Sequence, residues 1–375
     1  MPDEETSSST ITLCSLTNCS ISWNEGLPIL DLIQVYFWLG VVVQCVIACT
    51  GLLGNTLSVL IFTSKELRST FHMLLVVLAF FDLGCLIPTI IEVIVYMYDY
   101  KTQGTVFPDP SYKPNVVFFY LYPKFIRPLE FICLLASEYF TVIMSLDRYY
   151  AIMYPLQYYS RFNTNCLDTT FLEQNQSFSD KNKKKQPVMK VCWQRVIWYS
   201  MLSFVFAFCY NMPIYFELNS NIENGTRTMK YTSWYDSEEY VLIYYVILDG
   251  LIKFFIPGCV LIFTNFSIYR ILRKQNFSAS EYSNHKRTQY VMLFGVVILL
   301  MVTNVYRFCA NIHSFTIQDY LDCCPVQKDN LIAVMVGSVL RTINISANCF
   351  IYITTSYKFR QILVRKVKSM INWNM

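Results

Sequence analysis

Eight ionisable side chains stand inside stretches that are otherwise apolar: Asp82, Glu92, Glu130, Glu138, Asp249, Lys253, Arg307 and Arg341. A further pair, Asp147-Arg148, closes a long apolar run at its C-terminal edge. Charge is costly in lipid, and such residues mark ligand contacts, ion paths or switching pairs by default. Glu92, Glu130 and Asp249 against Lys253, Arg307 and Arg341 also admit a blander reading as internal salt bridges, because desolvated charges persist only when well paired. Both readings require mutual contacts, and an acid left unpaired would separate them. Asp147-Arg148 differs in kind. Adjacent residues at a wet edge gain about 1 kcal/mol from pairing, little enough for a partner to outcompete in a two-state equilibrium. Enzyme chemistry is not indicated. His72, His285 and His313 are dispersed, and no metal-spaced cluster, activated nucleophile or phosphate loop occurs.

These positions need membrane helices to hold them. The 375-residue chain is 54% hydrophobic, 17% aromatic and 15% charged, where soluble globules carry about 25% charged residues. Seven runs, 35–62, 72–98, 116–150, 192–216, 240–271, 288–315 and 329–355, approach or exceed the roughly 20 residues that span a bilayer core. Lipid gives the backbone no partners, so each is predicted to be helical, and the fold to be an all-α seven-helix membrane bundle. With the N-terminus outside, 20 of the 30 Lys and Arg fall on the inner side and seven on the outer. That bias predicts an extracellular N-terminus and a cytoplasmic C-terminus. The chain then divides into a tail (1–34), a seven-span domain (35–355) with a long inner loop (157–191), and a C-terminal tail (356–375). The acidic start lacks an early apolar core, so the first span is expected to act as the insertion signal. Asn18-Cys19-Ser20 and Asn224-Gly225-Thr226 are outward glycosylation sequons. Lys181-Asn182-Lys183-Lys184-Lys185 reads as a solvated inner loop. In the tail, Phe359, Ile362, Leu363, Val367 and Met370 recur at helical spacing among Lys and Arg, predicting a short amphipathic helix on the inner leaflet.

Several motifs carry a resemblance. Asp147-Arg148-Tyr149 is followed by Pro155-Leu156, Leu78-Ala79-Phe80-Phe81-Asp82 sits in the second run, Gly54-Asn55 in the first, and Asn348-Cys349-Phe350-Ile351-Tyr352 ends the seventh. Together they resemble the rhodopsin-like G-protein-coupled receptors. The resemblance implies a G-protein switch at Asp147, Arg148, Tyr149 and Tyr352, with Arg148 leaving Asp147 to meet the G protein. It also implies a sodium-type polar cluster from Asn55, Asp82, Ser137, Asn344 and Asn348, where a carboxylate and neutral oxygens suit a small hard cation at Asp82. Glu130, 18 residues before Arg148, falls where the family looks into its ligand cavity. Glu92, Asp249, Lys253, Arg307 and Arg341 would join it there, and Glu138, lower on the third helix, is expected to be protonated or bonded to the sixth.

The chain also departs from the family pattern. Pro123 stands where the family has the Cys that ties the third helix to the second outer loop, and 217–239 contains no Cys. Cys14, Cys19, Cys323 and Cys324 are the outward cysteines, and their connectivity is open. Cys349 replaces the seventh-helix Pro, predicting a weaker kink. The sixth run has no Pro, with Asn304 and Tyr306 at the usual Trp and Pro.

Within the family, Gly51-Leu52-Leu53-Gly54-Asn55-Thr56-Leu57-Ser58, Ser64-Lys65-Glu66-Leu67-Arg68-Ser69-Thr70 and Tyr357-Lys358-Phe359-Arg360 look like invertebrate FMRFamide-type neuropeptide receptors. Outer segments hold 15 acids against seven bases, a field that attracts cations. The expected function is a plasma-membrane receptor for a cationic amidated neuropeptide that acts on a heterotrimeric G protein, with no cofactor beyond an allosteric sodium ion. A small amine or chemosensory ligand on the same fold stays open. So does a transporter or channel, although no internal repeat supports it.

Overall fold

A computed structural model describes residues 36–67, 69–103, 116–162, 192–223, 226–235, 237–274, 281–316 and 324–372. Asn18, Asn224, Cys14, Cys19, Cys323, the 1–34 tail and the lysine run lie outside them. In chain order the helices are α1 (Phe37–Phe62), α2 (Thr70–Gln103), α3 (Phe118–Met153), the short α4 (Pro155–Phe162) and α5 (Trp193–Tyr210). Then follow α6 (Glu238–Ile271), α7 (Glu281–Thr316), α8 (Cys324–Ser346), α9 (Asn348–Thr355) and α10 (Tyr357–Asn372). Between α5 and α6 an antiparallel hairpin pairs β1 (Leu218–Glu223) with β2 (Thr226–Tyr231), Leu218 opposite Tyr231.

The molecule is an all-α seven-helix membrane protein. Among the described residues five helices are long and apolar enough to cross a bilayer, and the bent pair α8–α9 makes a sixth. The seventh bundle member is α5, whose 18 residues include Gln194, Arg195, Trp193 and Trp198 and lower its hydropathy. Outward faces stay apolar, with Trp38, Leu53, Trp198 and Phe263 exposed to what must be lipid. Inward faces build the largest core in the Arg148 half, around Phe62, Phe71, Leu74, Phe140, Met144, Leu293, Val297 and Tyr352. Close approach of α1 to α8 needs Gly51, where an added Cβ would lie 2.1 Å from Ser346 Oγ.

The weak kink expected of the seventh span is corrected: α8 and α9 meet at 43° without a proline. A side chain that enters the helical ladder bends it as a proline would. Here Asn55 Nδ2 donates to the Ile345 carbonyl at 2.9 Å, the acceptor one turn before Cys349. Beyond the bend Asn348 Nδ2 reaches across to Asp82.

Arg127 and Glu217, counted from the sequence among the outer bases and acids, are in fact buried at the hairpin end. Arg127, in the first turns of α3, pairs with Glu217 at 2.7 Å, and Glu217 is fully buried just before β1. Tyr240 and Tyr245 each donate a hydroxyl to Glu217 Oε1 at 2.7 Å. Lys124 Nζ donates to the Tyr215 carbonyl and Ser220 Oγ to the Phe119 carbonyl. An ionic and hydrogen-bonded tether therefore joins the hairpin to α3, where the sequence lacks cysteines to do so.

At the opposite end α10 folds back. Phe359 and Ile362 are buried, and the rings of Phe62, Tyr352 and Phe359 lie 5.0–6.0 Å apart. Arg365 pairs with Glu66, and Lys366 Nζ donates to the Leu60 carbonyl.

Candidate functional site

Under the hairpin, α3, α6, α7 and α8 enclose a cavity of about 320 Å³. Six charged side chains line it: Arg127, Glu138, Asp249, Lys253, Arg307 and Arg341, with Phe131, Tyr231, Tyr235 and Tyr245 among the aromatic walls. Four of the six expected ligand residues, Asp249, Lys253, Arg307 and Arg341, are thus on the wall. Glu92 and Glu130 are not part of the lining. Glu92 accepts the Tyr122 hydroxyl at 3.0 Å.

Local backbone aims the α6 charges. Two π-helical stretches, Val241–Leu248 and Gly250–Phe255, flank Asp249, and such wide turns shift the register of the side chains that follow. Asp249 and Lys253 end up buried and paired with each other. Asn304, at the usual tryptophan position, donates to the Lys253 carbonyl at 2.9 Å. Asn311 and Tyr210 each donate to Asp249. Arg307 forks onto both oxygens of Glu138, at 3.1 and 3.4 Å, and its Nε lies 3.8 Å from Asp249. Glu138 is therefore bonded to the sixth span. Arg341 is held more loosely, with Ser338 Oγ at 3.3 Å and Glu130 Oε1 at 3.9 Å.

Below this cavity Asp82 is fully buried. Ser137 Oγ donates to its Oδ1 at 2.7 Å and Asn348 Nδ2 to its Oδ2 at 2.6 Å. These residues and Asn344 line a void of about 10 Å³, about the space one water-sized sphere occupies. Asn348 Oδ1 is buried there without a hydrogen-bond donor. Carboxylate, hydroxyl and an orphaned amide oxygen fit a small hard cation. Asn55 does not line the void and instead straps α1 to α8.

At the far end of α3, Arg148 Nη2 meets Asp147 Oδ2 at 3.0 Å, and the guanidinium stacks over Phe71 at 4.7 Å. Its Nε is buried without an acceptor. Asp147 also accepts from Tyr199 (3.1 Å), Tyr158 (3.3 Å) and Arg195 (3.5 Å). Burial, then the Asp147 charge, pushes the Tyr158 hydroxyl up to about 12, so it remains a donor. Tyr149 packs on Phe263 of α6, and Tyr352 is buried against Phe62.

The model of a family described as serpentine-type seven-transmembrane G-protein-coupled chemoreceptors, Srw, matches residues 42–165. An FMRFamide receptor of Drosophila melanogaster is 26% identical over 355 residues, which cover 90% of this chain and 55% of that protein. An FMRFamide peptide receptor of Caenorhabditis elegans is 23% identical over 337 residues, covering 86% of this chain and 68% of its own length. The chain thus spans little more than half the length of the fly protein. It resembles G-protein-coupled receptors of the FMRFamide type. Both of these relatives are named as receptors, and the chain is a multi-pass plasma-membrane protein.

Spacing in this receptor-like chain could not reveal which charges pair. Arg127 and Glu217 are 90 residues apart, and only the tyrosines at 231, 235, 240, 244 and 245 hinted at a buried acceptor nearby. Arg195 looked like one more inner-side basic residue, yet it is buried against Asp147.

Proposed function

We propose that this chain is a cell-surface receptor whose cavity binds an extracellular amidated neuropeptide and whose Arg148 end then activates a heterotrimeric G protein. The hairpin end faces outward in this reading, as the Lys and Arg bias requires. The observation that carries it is the distribution of charge along α3: a lined cavity at one end, and at the other a half-buried Arg148 paired with a buried Asp147. A volume of about 320 Å³ is at the small end for ligand pockets, which suits the terminal residues of a peptide. Acidic outer segments would gather a peptide that carries Arg, and Glu138 and Asp249 are the wall carboxylates for it. Peptide binding favours a bundle state in which Arg148 leaves Asp147 for the transducer.

Asp82, Ser137 and Asn348, with Asn344 beside them, would hold a sodium ion that neutralises the buried carboxylate and favours the resting state. Replacing sodium by choline in the medium should then raise peptide affinity, and Asp82→Asn should remove that difference.

The test uses cells displaying the full chain, challenged with amidated peptides ending in Arg-Phe while calcium and cyclic AMP are followed. The reading expects a concentration-dependent response that Arg148→Ala abolishes at equal surface level. Silence toward every such peptide, with the chain at the surface, refutes it.

A further inference from the structure

Of the three carboxylates on α3, Glu130 is the one left over. Its side chain is 8% exposed, and among the described residues no donor hydrogen-bonds to its carboxylate oxygens, Cys85 Sγ donating only to its backbone carbonyl. Its nearest cation is Arg341 Nη1 at 3.9 Å, outside hydrogen-bond range. A carboxylate this buried ordinarily has donors, and leaving it without them is costly. Arg341 is the converse case. Among the described residues its five N–H donors make one hydrogen bond, to Ser338 Oγ at 3.3 Å, while its guanidinium lies over Phe131 at 5.4 Å. It lines the cavity, as do Phe131, next to Glu130 in the chain, and Leu134, one turn further along α3. An acceptor lacking donors therefore sits beside a donor with spare capacity, at the edge of a cavity.

We propose that Glu130 and Arg341 together read the terminal carboxamide of the peptide, an inference that rests on the peptide-receptor reading above. A primary carboxamide carries an acceptor oxygen and N–H donors on one carbon. Its oxygen takes an Arg341 N–H, and its N–H goes to Glu130. Both unmet needs are filled, and the pair stays neutral overall. A free carboxylate at the same place satisfies Arg341 but offers Glu130 no donor, and it brings a second negative charge against a desolvated one. The pair is thus a specificity determinant for amidation, separate from Glu138 and Asp249, whose oxygens already have partners.

The experiment compares Phe-Met-Arg-Phe-amide with the same tetrapeptide as the free acid, on cells bearing the full chain or its Glu130→Gln variant. The unmodified chain should respond to the amide at concentrations about tenfold lower or more than to the acid. Glutamine can donate to a carboxylate, so Glu130→Gln should gain sensitivity to the acid while losing it to the amide, collapsing that ratio. A gain for one ligand also shows that the variant is folded. Arg341→Gln should weaken the amide response by about tenfold. Equal potency of amide and acid on the unmodified chain, or an unchanged ratio in a responsive Glu130→Gln, overturns the assignment. Silence toward both peptides with the chain at the surface overturns the parent reading and this one with it.

Discussion

At the Arg148 end of α3, the Asp147 carboxylate accepts from an adjacent arginine, a second arginine and two tyrosines, whereas near the hairpin end the Glu130 carboxylate accepts from no described group. Glu138, between them, is intermediate, gripped by Arg307 alone. All three side chains are buried on one helix, so burial does not distinguish them. Donor supply does. A carboxylate that collects four donors holds elements together, and its release costs those bonds. One that collects none adds little to the fold, and its free energy is available to a ligand. The comparison separates a lock from a reader along a single rod.

Asp147→Ala breaks this ordering most severely. It strands the half-buried Arg148 and the buried Arg195, and apo stability in detergent should fall by about 3–5 kcal/mol, read from thermal unfolding. Glu217→Gln extends the comparison to the hairpin tether. One neutral acceptor would replace the partner of Arg127, with an expected loss of about 2–3 kcal/mol and faster proteolysis at the hairpin. A reducing agent should leave the hairpin in place, since Arg127 and Glu217 hold it where no cysteine does. Glu138→Gln should cost about 1–2 kcal/mol, because Arg307 keeps its contact with Asp249. Glu130→Gln should move apo stability by no more than about 0.5 kcal/mol. Losses of similar size at Glu130 and Asp147 would erase the distinction.

Much of this architecture was legible beforehand. Lipid forbids open backbone, so apolar runs placed the helices, and the resemblance to rhodopsin-like receptors singled out Asp147, Asp82 and Asn348 by their motifs. The bend at Ala347 was not legible, because its cause is Asn55, a side chain on another helix. Nor was the tether, since Arg127 and Glu217 read as loop charges until packing buried them. Glu130 shared its expected role with five others, and only geometry shows that Asp249, Lys253 and Arg307 already have partners while Glu130 lacks donors. Pairing over long sequence separation leaves no periodic trace.

The account is tested most directly by nucleotide exchange on a purified heterotrimeric G protein, with the reconstituted chain and Phe-Met-Arg-Phe-amide, for Asp147→Asn and Glu130→Gln side by side. Asp147→Asn should raise exchange in the absence of peptide, because Arg148 loses its resting charge partner. Glu130→Gln should leave peptide-free exchange at the unmodified level and shift only the peptide concentration for half-maximal response. Peptide-free exchange that rises with Glu130→Gln and stays flat with Asp147→Asn would contradict the separation of reader from lock.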